Sequence, residues 1–482
     1  MKCSFSKVSM KGTFKEEWPY GTDIYGRFFY METATDKLVF AAFDFGATYP
    51  REAARWRKEV SAQTGIPEKS LWYHELQIHA APNSEHLCGE YMDAVIERSI
   101  QTINEMKLRA EECDCFAAEC DLGTEVSFNR EQYVEGLGGV TVWRGIKFDE
   151  NGTPYTQDPS IMLLRGYKPS LPVFEKPIYF DNPNDQMAYL FMFKNKEGKT
   201  IGTISRFAAH PDLAVLFEHS DNPERHKEYH YDYDWPGYMS DDMEAEYGGI
   251  SMYLNGPCGD LAVKKDCNDK GTYKTSADEC KRIASLIGEK IRKIFANKAK
   301  KIDIESDFKT EMFAIDLPIK EDYPHSYKEL EELIKAVPAA RKRVEDAIAA
   351  NKNPAVVKRL IDDLWRLEYM PLNINDPKYS FSEEELATHI LTINVPAVRF
   401  GGYLFVGLPA ETLVEVTLWM RSRLTGTKTI PVDQVYGHYD YMATSRSMTL
   451  GGYTYWCSWV ARNAVATLKK ELAPLLDEFL ER

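Results

Sequence analysis

The stretch Ile24-Tyr25-Gly26-Arg27-Phe28-Phe29-Tyr30-Met31, the polar turn at Thr33–Lys37, and Leu38-Val39-Phe40-Ala41-Ala42-Phe43-Asp44 read as two adjacent strands. Both runs are rich in aromatic and β-branched residues and too short for typical helices. Working outward, Arg51–Thr64 carries apolar residues at helical spacing, stops at Gly65 and has Pro67 just beyond, which is how a helix ends. Leu71–His79 then leans apolar as a third strand, closed by Pro82, and Tyr91–Leu108 is a second amphipathic helix. Strand, strand, helix, strand, helix with short links predicts an α/β fold of layered mixed sheets flanked by helices.

Downstream, residues 140–185 are rich in Pro, Gly and Asn and read as a long excursion of the kind that carries substrate-side loops. Met187–Phe193 and Lys199–Ala208 predict a hairpin around Glu197-Gly198, and Ser251–Asn255 a short strand before the turn Gly256-Pro257-Cys258-Gly259-Asp260. Ser276–Ala299 reads as a long helix. Residues 327–368 read as a charged helical hairpin broken at Asn351–Pro354, expected as a solvated insertion. Thr388–Gly407 resumes strand pattern with a turn at Phe400–Tyr403, Pro409–Leu424 leads into a helix, and Val460–Leu480 closes the chain as an amphipathic helix containing Pro474. There is no internal repeat and no linker, so residues 1–482 are expected to form one large domain.

The composition bounds the function classes. In 482 residues, 44% are hydrophobic and 28% charged, an ordinary globular balance. There are 59 Lys+Arg against 74 Asp+Glu, a net charge of −15, which argues against a sequence-independent grip on nucleic-acid phosphates. Met1-Lys2-Cys3-Ser4-Phe5-Ser6-Lys7 has no apolar signal core, and no apolar run approaches the ~20 residues that span a bilayer. The expectation is a cytoplasmic protein with no membrane partner and with reduced thiols. Cys113-x-Cys115-x4-Cys120 lacks a second pair at zinc-ribbon spacing, so these read as free thiols.

Histidines are few, 10 in all, which makes their positions informative. His79 ends one predicted strand and His210 another, in Phe207-Ala208-Ala209-His210-Pro211. Strand ends are where ligands and catalytic groups collect in α/β sheets; a lone strand-end histidine is more often structural, but two of them favour a site. Glu411, just after the apolar Val406-Gly407-Leu408, is either an acid at a helix N-terminus or a ligand or base aimed from a strand end. Tyr436-Gly437-His438-Tyr439-Asp440-Tyr441 reads in isolation as a core or sugar-stacking loop. His226-x3-His230 would bind metal only on a helix, and its surroundings, Tyr229 to Pro236, do not look helical. Gly136-x-Gly138-Gly139 is too short for a phosphate loop, and no GxSxG or HExxH motif is present.

Taken in order, several segments resemble the neutral/alkaline ceramidase-like family of metal hydrolases. They are Asp23–Arg27, Thr64–Pro67, Gln77–Pro82, Phe128-Asn129-Arg130, Phe207–Pro211, Asp234-Trp235-Pro236-Gly237, Asn255–Asp260, Gly407–Glu411, and Tyr441 through Tyr453. The resemblance implies a zinc ion held by His210, Glu411 and Tyr441, with Tyr439 as the fallback for the tyrosine. It implies His79 as the proton-transfer group, and Arg130 and Tyr453 as the groups that polarise the scissile carbonyl. Gln77, Asp234 and Asp260 are the expected substrate-side polar residues.

Three departures limit the likeness. The first histidine of the family's His-x-His motif is Gln77, whose amide oxygen is a harder and less basic ligand. The family's Gly-Asp-x-Ser reads Gly259-Asp260-Leu261-Ala262. The chain is expected to lack the family's C-terminal immunoglobulin-like domain. The resemblance therefore implies a hydrolase with a changed, small soluble substrate bearing an amide or related bond rather than ceramide. Two alternatives stand beside it: metal-independent glycoside cleavage using Glu411 and Asp234, and a non-catalytic small-molecule binder.

Overall fold

The computed structural model describes residues 1–135, 137–142, 147–151, 153–156, 178–180, 182–214, 230–264, 277–374, 381–424 and 427–481. Its larger sheet runs in the order Ile250–Asn255, Thr200–Phe207, Met187–Asn195, Glu111–Asp121, Lys2–Ser9, Tyr25–Glu32, Lys37–Phe43, Leu71–Glu75, with Lys300–Ile302 added on Glu111–Asp121. Neighbours along this path are antiparallel except at its two ends. There Lys37–Phe43 pairs in parallel with Leu71–Glu75, and Thr200–Phe207 with Ile250–Asn255. A parallel pair needs a crossover, usually a helix. Pro50–Thr64 supplies the first and Asp234–Tyr247 the second. Pro50 opens its helix at a position where no N–H is needed, and Gly65 closes it at φ 69° with its N–H on Ser61 O.

A second sheet runs Lys309–Pro318, Ile390–Phe400, Tyr403–Gly407, Lys428–Val432. Its last pair is again parallel, bridged by the helix Val414–Arg423. Aromatic rings bind the sheets together: Phe405 lies 5.8 Å from Phe40 and 5.4 Å from Phe191, in the range of favourable ring pairs. The outer face of this sheet packs on the C-terminal helix Ala464–Glu481 through Leu391, Ile393, Leu468 and Leu472.

The two parallel ends of the larger sheet meet. Asn255 N–H donates to His74 Nε2 at 3.0 Å, and Asn255 Nδ2 to Leu76 O at 3.3 Å. This seam sets the Gln77–Pro82 segment beside the Gly256–Asp260 turn.

Several expectations need correction. The strand begun at Leu71 ends at Glu75, not His79, because Leu76 and Gln77 turn away to meet Asn255. The cysteine cluster, expected as free thiols, is so: Glu111–Asp121 is a strand in mid-sheet that buries Cys113, Cys115 and Cys120 unpaired by disulfides. Lys2–Ser9 is a further strand that the sequence pattern does not announce. Asp234-Trp235-Pro236 opens a helix, and His226 lies outside the described residues.

The charged insertion is three helices, Tyr327–Ile334, Val337–Ala349 and Pro354–Ile374. It is not simply solvated. Ala340, Val344, Val357, Ile361 and Leu364 form a core of its own. Trp365 packs against Trp456 at 4.4 Å, and Trp456 Nε1 donates to Asp362, which is buried with Lys358 at 2.6 Å. Among the described residues, no helix is long and apolar enough to cross a membrane.

Candidate active site

The C-terminal ends of the parallel strands converge. Gln77 and His79 follow Leu71–Glu75, His210 follows Thr200–Phe207, the Gly256–Asp260 turn follows Ile250–Asn255, and Glu411 follows Tyr403–Gly407. Lys428–Val432 leads into Asp433–Tyr441, and Glu411 and Tyr441 are direct partners in a two-residue parallel bridge. Carboxyl ends of strands are the usual place for ligands in such sheets.

His210 is fully enclosed. Its N–H bonds Leu261 O, and its Nδ1 lies 2.7 Å from Cys258 O. A carbonyl can only accept, so Nδ1 carries the proton and the Nε2 lone pair points inward. Facing it are Glu411 Oε2 at 3.3 Å, without the alignment of a hydrogen bond, and Arg130 Nη2 at 3.1 Å. The same Nη2 donates to Tyr441 Oη at 2.8 Å, while Arg130 Nη2 and Nε also reach Gly259 O at 3.0 and 3.3 Å. A lone pair and a carboxylate oxygen 3.3 Å apart repel unless positive charge serves both. Arg130 is the cation at this point.

The other carboxylate oxygen, Glu411 Oε1, lies 3.1 Å from His438 Nε2. Burial opposes ionisation of Glu411, but the hydrogen bond and charge of His438 on Oε1 hold the carboxyl well below its usual range. Burial would lower His438; Glu411 instead raises it to about 9. Burial pushes Asp440 up to about 7 and Glu75 up to about 8. Glu411, His438 and Asp440 place one ligand atom each within 4.8 Å of one another, a buried group that can hold a metal ion.

His79 is exposed, although protein surrounds it closely at longer range, as for a group lining a recess. That surrounding mass, together with neighbouring His210, lowers it to about 4, against the pull of Asp212 and Glu411. Its ring centre is 5.4 Å from that of His210. Tyr453 is half-buried and packs edge-on against Tyr441 at 5.2 Å; burial raises both phenols well above their usual value. Tyr439 turns the other way, edge-on to Trp459 at 5.8 Å.

The remaining expected residues sit around this cluster rather than in it. Gln77, at φ 60°, places Oε1 3.5 Å from Cys258 Sγ, behind His210. Asp260 accepts from Val414 N–H and Asn129 Nδ2, both at 2.8 Å, and its carbonyl receives the Arg130 N–H at 2.7 Å. It ties Arg130 to the Glu411 segment. Asp234 is committed to the N–H groups of Ala214 and Trp235, at the start of its helix. The structure therefore does not pair it with Glu411. Gly138 and Gly139 are explained by close packing, since a Cβ on Gly139 would stand 2.4 Å from Gly451 O.

Sequence reasoning missed His438, Asp440 and Glu75. The stretch from Gln434 to Asp440 is strained: Gln434, Tyr436 and Asp440 have φ 48°, 77° and 55°, and such outliers persist only where the surroundings enforce them. A Cβ on Gly437 would stand 2.5 Å from Pro50 Cα. A histidine two residues from an aspartate, beside a glycine, was the signal available.

No family model matches the chain, and a search of the curated proteins finds no relative. Among solved structures, the neutral ceramidase from Pseudomonas aeruginosa superposes with a TM-score of 0.64 at 12% identity, over 99% of this chain and 74% of that one. A ceramidase complexed with C2 gives 0.63 at 12% identity, over 99% and 75%. The chain has a ceramidase-like α/β fold. It is a distant version of that fold, close in backbone and far in sequence.

Proposed function

We propose that this chain is a metal-assisted hydrolase acting on an amide or related bond of a small soluble substrate. The observation that carries the reading is the convergence of His210 Nε2 and Glu411 Oε2 on Arg130 and Tyr441, at the strand ends of a ceramidase-like fold. These donors fit a divalent ion. The His210 lone pair and the Glu411 oxygen face each other without a proton between them, and Tyr441 adds a third oxygen. Three protein ligands with a remaining open position is the usual catalytic arrangement for zinc. Gln77 or a water would complete the set; the Gln77 amide oxygen lies 3.5 Å from Cys258 Sγ.

A zinc ion held by His210, Glu411 and Tyr441 would supply Lewis acidity and a more acidic water. The protein's own residues do the rest. His79, neutral at physiological pH, accepts the proton of the water that attacks the carbonyl and returns it to the leaving amine. Arg130 and Tyr453 donate hydrogen bonds to the carbonyl oxygen as negative charge develops on it. Glu411 stays ionised throughout and fixes the relative positions of His210 and His438. Asp260 and Asn129 hold Arg130 in place. We further propose a cytoplasmic setting and one catalytic domain over 1–482, with the 327–374 helices as a built-in wall.

The test is elemental analysis of the purified protein beside Glu411→Ala, followed by an amide-substrate panel with and without chelator. At least one ion per chain lost in Glu411→Ala, with chelator-sensitive amide release, supports the reading. No metal in either protein after reconstitution with zinc, manganese or iron overturns it.

A further inference from the structure

We propose that Glu411 Oε1, His438 Nε2 and Asp440 form a second divalent-cation site, distinct from the His210–Glu411–Tyr441 set and sharing only the Glu411 carboxylate with it. The inference goes beyond the proposed function and does not require it to hold.

Geometry is the first support. The three ligand atoms lie within 4.8 Å of one another, and the imidazole nitrogen stands 3.1 Å from the carboxylate oxygen. Ligands around a tetrahedral ion at ~2.1 Å are about 3.4 Å apart, so small side-chain movements suffice. Charge is the second, independent support. Glu75, at the end of the strand Leu71–Glu75, is fully buried, and neither of its oxygens has an aligned hydrogen-bond partner. Thr48 lies alongside it, and the strongest charge acting on it is His438. One imidazole thus has three buried carboxyls in its surroundings: Glu75, Glu411 and Asp440. Arg130 lies on the Oε2 side of Glu411 and serves His210 and Tyr441.

Carboxylates withdrawn from water need compensating charge. A divalent ion on the Oε1 side would take the place of the His438 proton beside Glu411, and one nitrogen with several oxygens suits zinc or manganese. The ion would lock the Glu411 carboxylate plane so that Oε2 is presented to His210. His438 also restores an imidazole to a chain that has Gln77 in place of one, but on the opposite side of the shared carboxylate.

The experiment is equilibrium dialysis of the intact chain against zinc, read by elemental analysis, with His438→Ala, Asp440→Asn and His210→Ala in parallel. His438→Ala and Asp440→Asn should each bind about one ion fewer than the unaltered protein, while His210→Ala keeps that ion. Equal zinc in His438→Ala, Asp440→Asn and the unaltered chain overturns the proposal and leaves the proposed function standing. Equal zinc in His210→Ala and the unaltered chain, with one ion lost in His438→Ala, removes the His210 site and keeps this one. Side-chain nitrogen NMR of the unaltered protein avoids any folding defect: zinc should shift the His438 Nε2 resonance, and an unmoved resonance overturns the proposal.

Discussion

Arg130 and His210 meet with Nη2 3.1 Å from Nε2, and the same nitrogen serves Tyr441 at 2.8 Å. A planar guanidinium, also held by Gly259 O and fully charged, can do this; a lysine offers only one flexible point charge. Arg130→Lys and Arg130→Gln should both lower kcat by about 10²–10³-fold, with little change in the far-UV spectrum. Steady-state kinetics on the substrate found in the amide panel provides the check. A kcat within a few-fold of the parent would remove Arg130 from the mechanism.

His79 is exposed beside His210, its ring centre 5.4 Å away, which leaves it open to substrate and dispensable for packing. His79→Ala should reduce kcat by about 10²–10⁴-fold and leave the melting temperature nearly unchanged. Retained turnover would exclude it.

Gln77 occupies a left-handed backbone position behind His210. Restoring an imidazole there should add a nitrogen near the His210 side of Glu411. Gln77→His is expected to tighten zinc by at least about tenfold, measured by competition with a chromophoric chelator. Unchanged or weaker binding would show that residue 77 cannot swing into the ligand set.

The seam predicts an acid limb in stability. His74 is fully buried, accepts the Asn255 N–H, and is lowered by burial to about 4. The unfolded chain, with its histidine near the usual value, binds the proton first, so stability is lost as pH falls from about 6.5 towards 4. The full effect is on the order of 3 kcal/mol, and urea denaturation of His74→Gln should show a shallower acid limb. In chelator-treated protein His438 has the opposite sign. Its raised value gives stability that is complete below about 6.5 and lost as pH rises through about 9. That alkaline loss should be absent in His438→Gln.

The buried pair Lys358–Asp362 anchors the 354–374 helix to Trp456. Removing one partner leaves an uncompensated charge, so Asp362→Ala should cost about 3–5 kcal/mol in urea denaturation. Replacing both by apolar residues should cost much less. Tyr453, 5.9 Å from Trp456, should move in the single variant, raising KM as well.

What was legible in the sequence follows from range. Tyr25–Glu32, Lys37–Phe43 and the helix to Thr64 announce themselves because pattern and end signals are local. His79, His210 and Glu411 were visible as polar residues just past apolar strands. Glu111–Asp121 was not, because acidic residues flank its buried cysteines and obscure the period of two. The end of the strand at Glu75 was hidden as well, since Asn255, far along the chain, draws Leu76 away. His438 and Asp440 depend on a backbone held at positive φ by Pro50 and its surroundings, and no spacing rule encodes that. The 337–374 helices read as solvated because their charges are on the sequence surface, while Trp456, which buries them, lies some ninety positions later.

The meeting of the two sheet ends at Asn255 and His74 has a consequence for how the chain acquires its chemistry. Residues 77–79, 130, 210, 258 and 411–441 come together only when segments separated by hundreds of positions are joined. Contacts of such long range form late and slowly. A nascent or truncated chain therefore holds no half-built site, because these residues assemble only with the closing of that joint.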